Sequence, residues 1–108
     1  MKEQFNYHKK IKKLTKIQLE YEDSYKILAH LVEELGETSS AMCIEDGGVG
    51  KDYKKLPKET SAQEAVDIIV CAVSLFYARG GTKKQFLEVI ENKLGKWEKN
   101  QAKSIKNK

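Results

Sequence analysis

Proline is nearly absent from this chain: Pro57 is the only one in 108 residues, so few positions are barred from helix by a missing N–H. The β-branched alternation expected of strands is also missing, and long Lys/Glu/Leu/Ala-rich runs stand in its place. An all-α protein is expected. Cysteine is scarce as well. Cys43 and Cys71 are far apart and lack the paired spacing of a zinc site, so two buried, reduced thiols in helices are the default. No apolar run is expected to reach the roughly 18–20 residues of a membrane span, and no apolar signal region follows the Lys-rich start, so no membrane partner and a cytoplasmic location are expected. There is no Walker A loop, nucleophile elbow, Ser/His/Asp order or dinucleotide fingerprint.

A net charge of +4 hides a division along the chain. Residues 1–16 carry six lysines against Glu3, and residues 93–108 six against Glu98, leaving 8 basic and 14 acidic residues between them, a net −6. Basic ends flank an acidic body. Lysine-rich ends neutralise phosphates in nucleic-acid binders, but they are also ordinary solvated surface. No RNA-stacking motif, zinc-finger spacing or helix-turn-helix pattern strengthens a nucleic-acid reading. A non-catalytic helical adaptor or nucleic-acid-binding module using the Lys-rich ends is therefore the alternative, not the leading reading.

Four helices are expected within a single domain over 1–108. The first lies within residues 4–20, with Phe5, Ile11, Leu14 and Ile17 as a thin stripe. Asp23 or Ser24 caps the second, whose stripe is Leu28, Leu31, Val32, Leu35 and Met42. On that helix Glu34 and Glu37 fall at the edge of the core, with Glu33 further round. A glycine-rich loop of roughly 15 residues, holding Gly47, Gly48, Gly50 and Pro57, follows; connections that long are often functional. Thr60 or Ser61 caps the third helix, which carries no charge from Asp67 to Arg79 and should be largely buried. Gly80 and Gly81 stop it, Thr82 caps the fourth, and Phe86, Leu87, Val89, Ile90, Leu94 and Trp97 form its apolar side.

Two acidic clusters carry the chemistry. Residues three apart on a helix are surface neighbours, so Glu34 with Glu37 and Glu64 with Asp67 each aim two carboxylates the same way. If the second and third helices pack antiparallel, four acids converge. Gathered carboxylates repel one another unless a cation sits among them, and a hard divalent ion such as Mg²⁺, completed by water and substrate phosphates, fits that need. Each cluster has a plain alternative. Glu33, Glu34 and Glu37 suit a solvated face, and Glu64 with Ser61 fits a capping box. Asp67 resists such treatment, lying past the first turn of an apolar helix where a lone acid only costs burial. His30 is a ligand or a structural histidine. Arg79, Lys83 and Lys84 hold phosphate or are turn residues, and Tyr53 and Tyr77 stack on a base or pack.

The pattern Glu33-Glu34-x-x-Glu37, 26 residues, then Glu64-x-x-Asp67 entering an apolar helix, with Lys96-x-x-x-Asn100 near the end, resembles the MazG-like all-α nucleoside triphosphate pyrophosphohydrolases from Leu28 to Asn100. The resemblance implies a four-helix bundle completed by oligomerisation, as a homodimer or homotetramer. It also implies a Mg²⁺-dependent enzyme, with Mn²⁺ as the alternative ion, cleaving a ribo- or deoxyribonucleoside triphosphate between its α- and β-phosphates to the monophosphate and pyrophosphate. Glu34, Glu37, Glu64 and Asp67 would be metal ligands. Glu33 and Glu37 would serve the catalytic step, and Lys96 and Asn100 would contact phosphate or sugar. Thr38 stands where that family often has an apolar residue, and Lys103 where an arginine is common.

Overall fold

The computed structural model describes residues 2–47 and 59–106, and all of their regular structure is helical. The four helices are α1 (Lys2–Gln18), α2 (Ser24–Glu45), α3 (Ser61–Ala78) and α4 (Lys83–Lys106). Of the expected glycine-rich loop, Gly48, Gly50, Tyr53 and Pro57 lie outside the described residues.

Side-chain chemistry fixes the boundaries. Asp23 caps α2 by accepting from the Lys26 amide at 3.2 Å. At the head of α3 Thr60 is the N-cap, its hydroxyl accepting from the Gln63 amide at 3.2 Å while Gln63 accepts the Thr60 amide at 2.9 Å. That pair is the capping box, so the expected pairing of Ser61 with Glu64 does not form, and Glu64 is released from any capping duty. The far end of α3 closes in a Schellman turn: Gly80 N–H bonds the Tyr77 carbonyl and Gly81 N–H the Phe76 carbonyl, at 3.1 and 3.0 Å. Gly80 sits at φ +89°, and a side chain on Gly81 would run into the Phe76 ring. Thr82 then accepts the Gln85 amide to start α4.

α3 is the central element, packed on α2 along one side and on α1 along another. Both pairings are antiparallel. Glu45, ending α2, accepts from the Ser61 amide at 2.6 Å and its hydroxyl at 2.5 Å, while Arg79, beyond α3, donates to Ser24 Oγ at 3.2 Å at the start of α2. Across the α1–α3 seam the Thr15 and Ser74 hydroxyls pair at 2.6 Å, both buried, and His8 Nδ1 meets the Tyr77 hydroxyl at 3.0 Å.

The core departs from expectation in three places. The buried positions of α2 are Ile27 and Ala41, each 2% exposed, whereas Leu28, Val32, Leu35 and Met42 of the expected stripe are exposed. The stripe is rotated by about one residue, or roughly 100°, so Glu34, seven residues from both Ile27 and Ala41, lies on the packed face and not at its edge. α3 is not largely buried: Val66, Ile69 and Val70 face outward. By length and composition this helix is apolar enough to cross a membrane, at 18 residues and a mean hydropathy of 1.4, although it carries Glu64 and Asp67. Finally, α4 makes no close backbone approach to the other helices. Its first turn is tied down by Phe86, whose ring sits edge-on to His8, Phe76 and Phe5 at 4.6 to 6.4 Å, and beyond it Val89, Ile90, Leu94 and Trp97 are exposed. Within one chain the packed unit is three helices with a fourth projecting from it.

The buried hydroxyl pair gives a direct test of the α1–α3 seam. Thr15→Val or Ser74→Ala alone strands one hydroxyl and costs about 1–3 kcal/mol in urea unfolding, whereas the double replacement removes both polar groups and falls well short of the summed losses. Strictly additive losses would mean that the two hydroxyls are not partnered.

Candidate metal centre

The packed face of α2 delivers Glu34 into its seam with α3, and one turn further on Glu37 reaches the same place from a more exposed position. From the opposite side α3 presents Glu64, only 9% exposed, and Asp67 three residues later. Carboxylate oxygens of Glu34, Glu37 and Glu64 all lie within 4.8 Å of one another, and those of Glu64, Asp67 and Glu59 form a second group of the same span. Glu64 belongs to both. The four acids expected to converge thus fall into two groups that share Glu64, with Glu34 and Glu37 in one and Asp67, joined by Glu59, in the other.

Two oxygens stand out: Glu34 Oε2 and Glu64 Oε2 are buried and have no hydrogen-bond partner among the described residues. A buried acceptor left unsatisfied is costly, and a buried carboxylate surrounded by other carboxylates is more so. The electrostatics agree. Burial pushes the Glu64 carboxyl up to about 7, helped by repulsion from Glu37, Glu59, Glu34 and Asp67. Burial likewise raises Glu34, followed by the charges of Glu37 and Asp67. One turn past Asp67, burial and then the charges of Glu34 and Asp67 raise the Cys71 thiol, so it stays protonated. All three shifts report excess negative charge in a partly enclosed space. Oxygen-only donors, two of them orphaned, match what a hard divalent cation takes.

Local chemistry holds the acids in place. The Thr38 hydroxyl donates to the Glu34 carbonyl at 2.7 Å, so a polar residue on this face is satisfied within its own helix. Glu45, clamped on Ser61, ties the end of α2 to the start of α3 beside the cluster, and those bonds hold its carboxyl below the usual range.

Other expected site residues are not brought to the cluster within one chain. Glu33 is exposed and turned toward His30, with Glu33 Oε2 3.6 Å from His30 Nδ1; His30, itself exposed, also lies 3.9 Å from Glu22. Lys96 and Asn100 are exposed on α4, well beyond the first turn through which Phe86 meets Phe76 of α3. Of the turn cations, Arg79 bonds Ser24 and Lys83 covers the Phe5 ring at 4.7 Å. Tyr77 packs against His8, while Tyr53 lies outside the described residues. Cys43 and Cys71 are unpaired thiols and half-buried. Glu59 was missed by helical spacing because it precedes the helix. Only the Thr60 cap, which turns the chain just ahead of α3, carries it to Glu64.

No family model, curated protein or solved structure matches this chain.

The raised Glu64 carboxyl makes stability depend on pH. From its ordinary value of 4.5 up to about 7, the folded chain retains a proton there that the unfolded chain has released, so stability falls as pH rises through that window. Glu45 acts in the opposite sense: its contribution is complete above its ordinary value of 4.5 and is lost only below it, as pH falls through the depressed value. In EDTA the melting temperature should therefore drop between about pH 5.5 and about pH 8, and Glu64→Gln should flatten that slope. A slope unchanged in Glu64→Gln would assign the effect elsewhere.

Proposed function

We propose that this chain is a divalent-cation-dependent nucleoside triphosphate pyrophosphohydrolase of the MazG-like kind. It hydrolyses a ribo- or deoxyribonucleoside triphosphate between the α- and β-phosphates and releases the monophosphate and pyrophosphate. The observation that carries this reading is the convergence of Glu34, Glu37, Glu64 and Asp67 across the α2–α3 seam, with an orphaned buried oxygen on both Glu34 and Glu64. Those four residues would hold Mg²⁺, or Mn²⁺ in its place, and a bound ion would supply positive charge to offset the triphosphate and the leaving pyrophosphate.

The side chains divide the remaining work by exposure. Glu34 and Glu64, enclosed, serve as ligands. Glu37, exposed at the mouth of the cluster, also takes the proton from the attacking water, while Glu33, turned toward His30, has no direct part within one chain. Lys96 and Asn100 bind phosphate or sugar from the α4 of a second copy, since their own α4 projects away from the seam. The exposed rows Leu28, Val32, Leu35 and Met42 on α2, Val66, Ile69 and Val70 on α3, and Val89, Ile90, Leu94 and Trp97 on α4 supply the apolar area that a homodimer or homotetramer buries. A cytoplasmic location belongs to the same reading.

The purified chain, given a panel of NTPs and dNTPs with Mg²⁺, should release monophosphate and pyrophosphate from at least one of them. Asp67→Asn should lower that rate by at least about 100-fold while keeping the helical circular dichroism. Sedimentation equilibrium should give a mass at or above a dimer. No turnover of any nucleotide, from a preparation that instead binds nucleic acid equally well as wild type and as Glu37→Gln, favours the binding module and ends the enzyme reading. A monomeric mass removes the second-copy role of Lys96 and Asn100.

A further inference from the structure

At the opposite end of α3 from the acids, a groove of about 670 Å³ opens between α1, α3 and the start of α4. Tyr77 and Glu64 are thirteen residues apart on one helix, so the two places are separated by about 20 Å along the axis. The groove is walled by Phe5, His8, Tyr77 and Leu87 and rimmed by Lys9, Lys12 and Lys83. Among the described residues no carboxylate lines it and none of the three ammonium groups forms an ion pair.

Its cations are held in position. Lys83 Nζ stands 4.7 Å from the Phe5 ring centre and Lys12 Nζ 5.7 Å from that of Tyr77, both cation–π distances. Lys9 shares the Lys12 face of α1, three residues away. The walls are stiff as well: the His8 ring lies edge-on to Phe5, Tyr77 and Phe86, and its Nδ1 meets the Tyr77 hydroxyl at 3.0 Å. Burial lowers the His8 pKa and raises that of Tyr77, so both are neutral near pH 7 and the lysines alone supply the charge.

An aromatic, apolar-walled cavity within the usual small-molecule range of about 300–1,000 Å³, carrying three uncompensated positive charges, asks for a ligand with an apolar or planar body and a multiply charged anionic end. We propose that this groove binds a phosphate monoester of mononucleotide size, its phosphate among Lys9, Lys12 and Lys83 and its body against Phe5, Tyr77 and Leu87. This site is independent of the acidic cluster and of any turnover there. In the absence of a divalent cation the acids repel phosphate, so binding in EDTA reports the groove alone.

Isothermal titration of the full chain in EDTA with AMP, CMP, inorganic phosphate and an oligo-dT strand tests the proposal. Expected is saturable 1:1 binding of at least one mononucleotide below about 1 mM, at least about tenfold tighter than inorganic phosphate. The Lys12→Gln/Lys83→Gln variant should weaken it at least about tenfold at unchanged circular dichroism. Leu87→Asn, which keeps all three cations, should weaken the mononucleotide and leave inorganic phosphate unaffected. The proposal is overturned if no mononucleotide binds, if the lysine variant binds like wild type, or if inorganic phosphate binds as tightly as the ester. Tight oligo-dT binding without mononucleotide binding overturns it too, in favour of a single-strand surface. Mononucleotide binding in EDTA by a chain that turns over no triphosphate leaves the groove standing and removes only the enzyme reading.

Discussion

The seam between α2 and α3 carries a conflict on which the account of this protein depends. Ile27 and Ala41 bury against α3 as a helix seam requires, yet midway between them stands Glu34, facing Glu64, with an oxygen on each left without a partner among the described residues. A seam built only for stability would place an apolar side chain at either position. Carboxylate facing carboxylate raises the affinity of both for protons, and Glu64 is lifted to about 7 by burial and its acidic neighbours. A divalent cation relieves the same strain without protonation. The antiparallel pairing set by Glu45 on Ser61 at one end and Arg79 on Ser24 at the other aligns the acids across the seam. In this sense the clamps at the ends of the helix pair are part of the centre between them.

Much of this was legible in the sequence because it depends on short-range rules. Asp23 and Thr60 were among the expected caps, the Gly80-Gly81 stop follows from left-handed backbone, and i, i+3 spacing was enough to pair Glu34 with Glu37 and Glu64 with Asp67. Less legible was whatever depends on which face of a helix meets its neighbour. Leu28, Val32, Leu35 and Met42 form as good an apolar stripe as Ile27, Leu31 and Ala41, and periodicity cannot rank two such stripes on one helix. The wrong choice put Glu34 at a core edge. A one-residue shift in the cap of α3 likewise gave Glu64 a local role that Gln63 performs. Glu59 could not be found by helical spacing, and the exposed position of Glu33 beside His30 shows that adjacency in an acidic run does not mean a shared direction.

Charge is divided along α3, although not as the basic ends and acidic body of the sequence divide it, since Lys83 of the groove belongs to the acidic body. The N-terminal end of α3 lies among acids and its C-terminal end meets the basic, aromatic groove made with α1 and the first turn of α4. Exposed apolar rows lie on α2, α3 and α4. The molecule thus presents an acidic seam, a basic aromatic groove and exposed apolar faces.

The central claim, that the α2–α3 acids form a divalent-cation site, is tested most directly by anomalous scattering from crystals of the protein grown with Mn²⁺. The account predicts a strong anomalous peak among the carboxylates of Glu34, Glu37, Glu64 and Asp67, at oxygen distances of about 2.0–2.4 Å, which disappears in Asp67→Asn. A map with no peak there, and with Glu34 and Glu64 drawn together over a shared proton, would contradict it.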